Sequence, residues 1–423
     1  TTDGAVTVTQ GKLEGLSLSS ISFDGTDDVV KSSGTTDIMN DKDATLSFWI
    51  KGAVGSAKTI LESNNHYNEA LMYSRNGNEI RLYSTTTSTD EWGLDATQVT
   101  ASGLYNGAWH HMVWVLDNGG QSHSIYVDGV SYPVTFVSTN NHVVDWNGIS
   151  VGGEYADMTG SMKDIRFYDY HLSADQAASL YSGSYNVTPL WNWKFDEGTG
   201  NVSNSGSNGT TEDLTVTNAT WVNGTLDLDS TLTIAANGTL SMPRGDLRMS
   251  KTGVYPTFDI NCTNVATQFI HNNGRFQTDA AGDFQLTANG AAFYRIITNC
   301  SSTGNLELQE NTTIEKEIVN GSGDPIQLTG GRTYTFGTTT QSADINEVLH
   351  ASNGSGTVTV QGASSLYPVN ISQYDDMARE LNLNLANVNV TTALVHNRDK
   401  TITLTGDCEF DAVTVSSGDT LDL

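Results

Sequence analysis

The side chains that could do chemistry in this 423-residue sequence are clustered carboxylates, two adjacent histidines and a set of aromatic rings. Asp24, Asp27 and Asp28 crowd one turn, Asp24-Gly25-Thr26-Asp27-Asp28. Calcium takes several hard oxygen ligands, and acidic turns supply them together with main-chain carbonyls. Asp24-Gly25 also makes a solvated Asx turn unaided, which is the competing reading. Asp90-Glu91 with Asp95, and Asp196-Glu197, are the next acidic clusters. Glycoside hydrolysis needs two carboxylates across a cleft, one to protonate the leaving oxygen and one to attack or to activate water. Both clusters are flanked by Gly, Ser or Thr and read as turns, so no catalytic residue is assigned. His110 and His111 are neighbours on a strand and point to opposite faces, which rules against one shared ligand sphere.

Sugar binding asks for exposed aromatic faces and a few convergent polar groups. The loop aromatics available in the first half are His66, Tyr67, Trp92, Tyr105, Trp146 and Tyr155. Trp92 stands in the polar context Thr89-Asp90-Glu91-Trp92-Gly93 and leads this set. Packing of each ring under its own loop is the alternative. Trp49, Trp109 and Trp114 lie inside strands and are assigned to the core. Asn-x-Ser/Thr sequons begin at Asn186 and run through Asn201, Asn218, Asn223 and Asn237 to Asn389. In a glycosylating host they mark a sugar-coated stalk; Thr-rich turns generate the same pattern by composition alone.

Composition narrows the partners. The formal charge is −28, from 48 acidic and 20 basic residues. Nucleic acid is not expected as a partner, because binding it requires Lys and Arg to displace counterions. An anionic membrane surface is disfavoured for the same reason. The three cysteines, Cys262, Cys300 and Cys408, form no CxxC pair, so a cysteine zinc site is not indicated. No apolar run reaches the ~18 residues of a membrane span. The first residues do not read as a signal peptide and the last stop inside an alternating strand, so both ends are expected to be processed or cut from a longer chain.

The elements that must position these residues are short strands. With 41 Gly and only 6 Pro, and with recurring Thr, Ser and Asn clusters, the chain reads as all-β. Alternation predicts strands at 16–23, 45–50, 79–83, 109–116 and 124–130, separated by turns such as Asp117-Asn118-Gly119-Gly120. Ser173 and Gln176 have capping-box spacing at the start of a short helix. Leu190-Trp191-Asn192-Trp193-Lys194-Phe195 predicts a tryptophan-rich strand. From about residue 223 the pattern becomes Asn-Gly-Thr or Ser-Gly-Asp turns followed by alternating Leu or Val. This predicts strands stacked along an axis, as in a β-solenoid, with a second β-sandwich as the competing architecture.

The ordered series Phe23-Asp24-Gly25, Leu46-Ser47-Phe48-Trp49-Ile50, Trp109-His110-His111-Met112-Val113, Ile125-Tyr126-Val127-Asp128-Gly129, Ile149-Ser150-Val151-Gly152-Gly153 and Lys163-Asp164-Ile165-Arg166-Phe167-Tyr168 with Leu172-Ser173-Ala174-Asp175-Gln176 resembles laminin-G-like domains of the concanavalin-A-like lectin and glucanase superfamily. The resemblance covers about two fifths of the chain. It implies an antiparallel β-sandwich, or jelly roll, and a structural calcium near the first turn, with Asp24, Asp28 and Asp164 as ligands. The Glu-x-Asp run of the glucanase branch is missing.

The expected division is an N-terminal strand or linker at 1–15, the sandwich at 16–185, a Trp-rich strand and linker at 186–222, and a Thr/Asn/Gly-rich β region at 223–423. The organisation resembles tail-fibre, appendage or capsid-decoration proteins of bacterial viruses, and a non-enzymatic virion protein that attaches to host glycans is the expected function. A cell-surface adhesin or filament subunit, and the carbohydrate-binding part of a larger secreted glycan-degrading enzyme, are the alternatives. Glycans or other virion or surface proteins are the expected partners, in a homo-oligomer on a virion or cell surface.

Overall fold

The computed structural model describes residues 6–14, 19–34, 36–39, 43–52, 58–64, 70–75, 79–84, 90–117, 122–138, 146–153, 157–209, 211–250, 256–280, 282–300, 304–320, 325–346, 348–372, 378, 381–396, 400–417 and 419–423. The chain forms two compact units, one of residues 19–222 and one of residues 1–18 with 223–423. The protein is all-β, with a jelly-roll lectin-like domain and a C-terminal β-solenoid of about 8 turns.

In the first unit, two eight-stranded sheets face each other across one core. At the middle of one sheet Ala44–Gly52 lies between Trp109–Leu116 and Thr159–Tyr168, antiparallel to both. Alternation decides which side chains point inward. Leu46, Phe48 and Ile50 enter the core with Met112, Trp114, Met162, Ile165 and Phe167. The opposite parity of the same strands faces outward. There α2 (Ala174–Tyr181) covers part of the sheet, burying Val113, Val115, Tyr126 and Tyr168 against Ala177 and Leu180. Ser173 and Gln176 form the predicted capping box at its start. Asp128-Gly129 joins Ser124–Val127 to Val130–Tyr132 with both residues at positive φ, the requirement of a two-residue type I′ turn.

Residues 186–222 do not run as one strand and a linker. They supply three strands to this unit: Trp191–Trp193 pairs with Thr159–Tyr168, Leu214–Thr217 with Val29–Ser32, and Thr220–Val222 with Ser20–Asp24. Trp191 and Trp193 are fully buried, and the Trp193 indole donates to the Glu212 carbonyl at 2.8 Å.

In the second unit parallel strands stack in register. One inward ladder runs Leu232, Phe258, Leu286, Leu308, Leu328, Ala351. Another runs Leu247, Phe276, Ile296, Ile318, Ile345, Ile371, Val390. Polar residues between them face out and pair along the stack: Arg275 with Asp246 at 2.6 Å, Arg295 with Glu317 at 2.9 Å, Asn370 with Asp344 at 2.9 Å. Val6–Glu14 adds to this stack, parallel to Leu232–Ser241. Cys262 and Cys300 are buried and Cys408 is half-buried, all as free thiols.

Candidate functional site

Of the loop aromatics among the described residues, Trp92 and Trp146 present no exposed face. Trp92 is 1% exposed, in the strand Asp90–Leu94, where it stacks on His123 at 3.9 Å and meets Trp114 at 5.2 Å. Trp146 is fully buried and packs edge-on against Phe167. The Tyr105 hydroxyl is buried, and desolvation pushes its pKa well up. Buried rings offer no face to a ligand, so Trp92 and Trp146 serve the fold, and the half-buried Tyr105 packs against the same core. Tyr67, His66 and Tyr155 lie outside the described residues. The acidic clusters are likewise engaged in structure, and Asp90-Glu91, expected as a turn, instead opens the buried strand Asp90–Leu94. Glu91 accepts from the Tyr73 hydroxyl at 2.9 Å, Asp95 caps α1 (Ala96–Ser102), and Glu197 accepts from the Ser203 amide at 2.8 Å.

Of the expected calcium ligands, Asp24 and Asp28 share one turn and Asp164 stands apart from them. Asp24 accepts from the Thr26 amide at 2.8 Å and donates its own amide to the Asp28 carboxylate, closing an Asx-type turn. Asp28 is buried, and burial together with the neighbouring Asp24 and Asp27 raises its pKa. Asp164 is not at this turn. Thr159 is the residue paired with Asp24, and Asp164 stands five residues further along the strand, about 16 Å away. There it grips Arg166 in a two-pronged ion pair at 2.7 and 2.6 Å. Asn186, Asn201, Asn218, Asn223 and Asn237 are all exposed.

What the structure does bring together is a patch on the outward side of the 44–52, 109–116 and 159–168 strands, beyond the C-terminal end of α2. Lys163, Trp49 and His111 are direct cross-strand neighbours on three adjacent strands. Trp49 and Trp109 are half-buried. The Lys163 ammonium sits over both indoles, 4.8 Å from the Trp109 centroid and 5.7 Å from Trp49. Tyr181, 42% exposed at the end of α2, packs against Trp49 at 5.8 Å and His111 at 6.2 Å. The Asp164–Arg166 pair follows Lys163 on the same strand and acts electrostatically on His111, its side chains roughly a quarter exposed (23% and 27%).

His111 forms the floor of the patch. It is 3% exposed, and its Nδ1 is buried without a hydrogen-bond partner. Burial drives its pKa down to about 4, against the pull of Asp164 and Asp128, so the ring is neutral at pH 7. Lys163 is also lowered by burial, with Asp164 opposing. Its neighbour His110 points to the other face, as strand alternation requires, and is held by Asp128 at 2.7 Å and Asn106 at 3.1 Å.

Strand parity carried the signal for this patch. Trp49 shares its parity with Ser47 and Lys51, and Trp109 with His111, while the core parity is Leu46-Phe48-Ile50 and Met112-Trp114-Leu116. The expectation that Trp49 and Trp109 are core is therefore corrected: both are on the outward face. Trp114 is in the core as expected.

Residues 24–178 match the model of a family described as Laminin_G_3, the concanavalin A-like lectin/glucanases superfamily. This segment is a concanavalin A-like lectin/glucanase domain. The lectin-like domain is similar in fold to a heptameric SAP-like pentraxin from Limulus polyphemus, at 16% identity and TM-score 0.30 over 39% of this chain and 82% of that one. It is also similar to a Bacteroides ovatus protein provisionally assigned to carbohydrate binding, at 11% identity and TM-score 0.34, covering 48% of this chain and 59% of that one. A third similar structure is the receptor-binding domain of botulinum neurotoxin D, at 15% identity and TM-score 0.32, covering 41% and 47%. No curated protein sequence matches this chain.

Proposed function

We propose that this protein is a non-enzymatic glycan-binding surface protein whose lectin-like domain holds sugar on the Trp49–Trp109 face. The observation that carries this reading is the pair of half-buried indoles on the outward side of the sheet, whose faces open when the long Lys163 side chain lying over them swings aside, with the Asp164–Arg166 ion pair following Lys163 on the same strand. A pyranose has an apolar C–H face that stacks on an indole, and its hydroxyls take hydrogen bonds at the ring edge. The Asp164–Arg166 pair offers acceptor and donor groups side by side in fixed geometry. The β-solenoid then acts as a stiff shaft, and a homo-oligomer displaying several weak sites gains avidity from their number. This suits a virion appendage or tail fibre attaching to host glycans. The exposed sequons at Asn186, Asn201, Asn218, Asn223 and Asn237 favour a second setting, a cell-surface adhesin or filament subunit.

A glycan array probed with the wild-type chain and with Trp109→Ala tests the reading. Selective binding by the wild type, lost in a variant of unchanged circular dichroism, is expected. Equal signals from the two proteins would remove the site. Electron microscopy of the native particle separates virion from cell-surface settings.

A further inference from the structure

The corner of the sandwich at the other end of the same three strands gathers a second set of polar side chains, distinct from the aromatic face. Ala44 and Leu116 are paired ends of neighbouring antiparallel strands. That pairing sets Asp43, just before one strand, beside Asp117, just after the other. Tyr168 pairs with Thr45, so the segment that leaves the third strand towards α2 crosses the same corner and brings His171 to it. The ligand atoms of Asp43, Asp117 and His171 all lie within 4.8 Å of one another. His171 Nε2 is 3.4 Å from Asp43 Oδ1 and 2.7 Å from the Leu116 carbonyl oxygen. One imidazole and two carboxylates thus converge from three separate segments, with the Leu116 carbonyl hydrogen-bonded to the imidazole.

We infer that this corner is a binding site for a divalent transition-metal cation of the zinc type, with Asp43, Asp117 and His171 as side-chain ligands, water as the fourth, and the metal taking the place of the proton that His171 Nε2 shares with the Leu116 carbonyl. The donor set selects the metal. Calcium takes an all-oxygen shell, whereas zinc accepts imidazole nitrogen and carboxylate oxygen together and is satisfied by four ligands. The supports of the ligands are fixed, which lowers the ordering cost of closing a shell. Thr45 Oγ1 donates to the Tyr170 carbonyl at 2.8 Å and accepts from the Leu172 amide at 3.0 Å, clamping the main chain on both sides of His171. The Asp117 amide donates to His123 Nδ1 at 3.1 Å, and Asp117 Oδ2 accepts from the Ser122 amide at 2.8 Å. His123 in turn is stacked on the buried Trp92. Zinc here ties two central strands to the residue two positions before the Ser173 cap of α2, so it is a structural clip for the corner that carries the helix.

The test is calorimetric titration of Zn²⁺ and of Ca²⁺ into the chelator-treated full-length chain, with melting temperature as a second readout. One zinc per chain, a higher melting temperature with Zn²⁺, and a weaker response to Ca²⁺ are expected. His171→Asn weakens zinc binding by at least tenfold and removes the zinc-dependent melting shift, yet melts like the wild type in chelator, which shows that it folds. Asp24→Asn, at the first turn, leaves zinc binding unchanged. Absence of zinc binding in the wild type would show His171 to be only an ion-pair partner of Asp43. Equal zinc binding by wild type and His171→Asn would place the metal elsewhere. Either result overturns the inference, and neither touches the glycan-array outcome at the Trp109 face.

Discussion

Two tryptophans of this chain have opposite fates, and substitution separates them. Trp92 is enclosed between Trp114 and His123. Trp92→Ala is expected to cost about 3–5 kcal/mol of stability by cavity formation, read by chemical denaturation. Trp109→Ala removes a half-buried ring and is expected to leave stability nearly intact while weakening glycan binding about tenfold or more, ~1.4 kcal/mol. Two histidines add a pH signature. Burial lowers both His111 and His123 to about 4, against a usual value of 6.5. Asp164 and Asp128 oppose the shift at His111, and Asp117 and Asp90 oppose it at His123. A histidine with a depressed folded-state pKa is protonated more readily in the unfolded chain. Its stabilising contribution is therefore complete above pH 6.5 and lost as pH falls from 6.5 through 4. The melting temperature is expected to drop across that window, and His111→Phe is expected to flatten part of the drop. These fates were only partly legible in the sequence. A polar neighbourhood around Trp92 reads as exposure, because Asp90 and Glu91 are normally solvated; here both are buried with it. The parity of Trp49 was legible, but an indole on the outward face of a strand resembles a core residue until the strand's partners are known.

At the scale of elements, local rules worked where the chemistry is local. The Ser173–Gln176 capping box and the Asp128-Gly129 turn both form as their residues dictate. Because α2 presents Tyr181 to Trp49, Ser173→Ala is expected to cost about 1 kcal/mol of stability and to weaken glycan binding modestly, measured by denaturation and by titration on the same preparation. The failures were non-local. The strand Thr159–Tyr168 shifts register between Lys163 and Arg166, and Asp164 sits at φ 52° within that irregularity. A bulge re-aims a side chain, and Asp164 within this one pairs with Arg166 on its own strand, while its distance from the Asp24 turn follows from its place five residues beyond Thr159. No spacing rule shows a bulge in a strand of ordinary composition. The three strands after residue 186 were obscured in the same way: turn-rich sequence such as Asn204-Ser205-Gly206 reads as linker, yet Asn204 is buried and bonded to the carbonyls of Gly209 and Thr211.

For the whole molecule, the all-β class and the stacked strands of the second half were legible from alternation and turn chemistry. The solenoid was not distinguishable from a sandwich, since its repeat is irregular and both architectures bury alternate residues; the parallel register of the Leu232 and Leu247 ladders decides it. The two units have separate hydrophobic cores. Calorimetry is expected to show that Trp92→Ala lowers the sandwich transition alone. Tyr334→Phe is expected to destabilise the solenoid by about 1–3 kcal/mol, by removing a buried hydroxyl bonded to the Leu308 carbonyl at 2.7 Å and the Thr329 amide at 2.9 Å. The central claim is the location of the sugar. Crystals of the full chain soaked with the strongest glycan from the array address it directly. The account predicts a sugar ring stacked on Trp109 or Trp49, with hydroxyls bonded to the Asp164–Arg166 pair or to Lys163. A sugar bound on the opposite sheet, or on the solenoid, with the Trp49–Trp109 face bare, would contradict it.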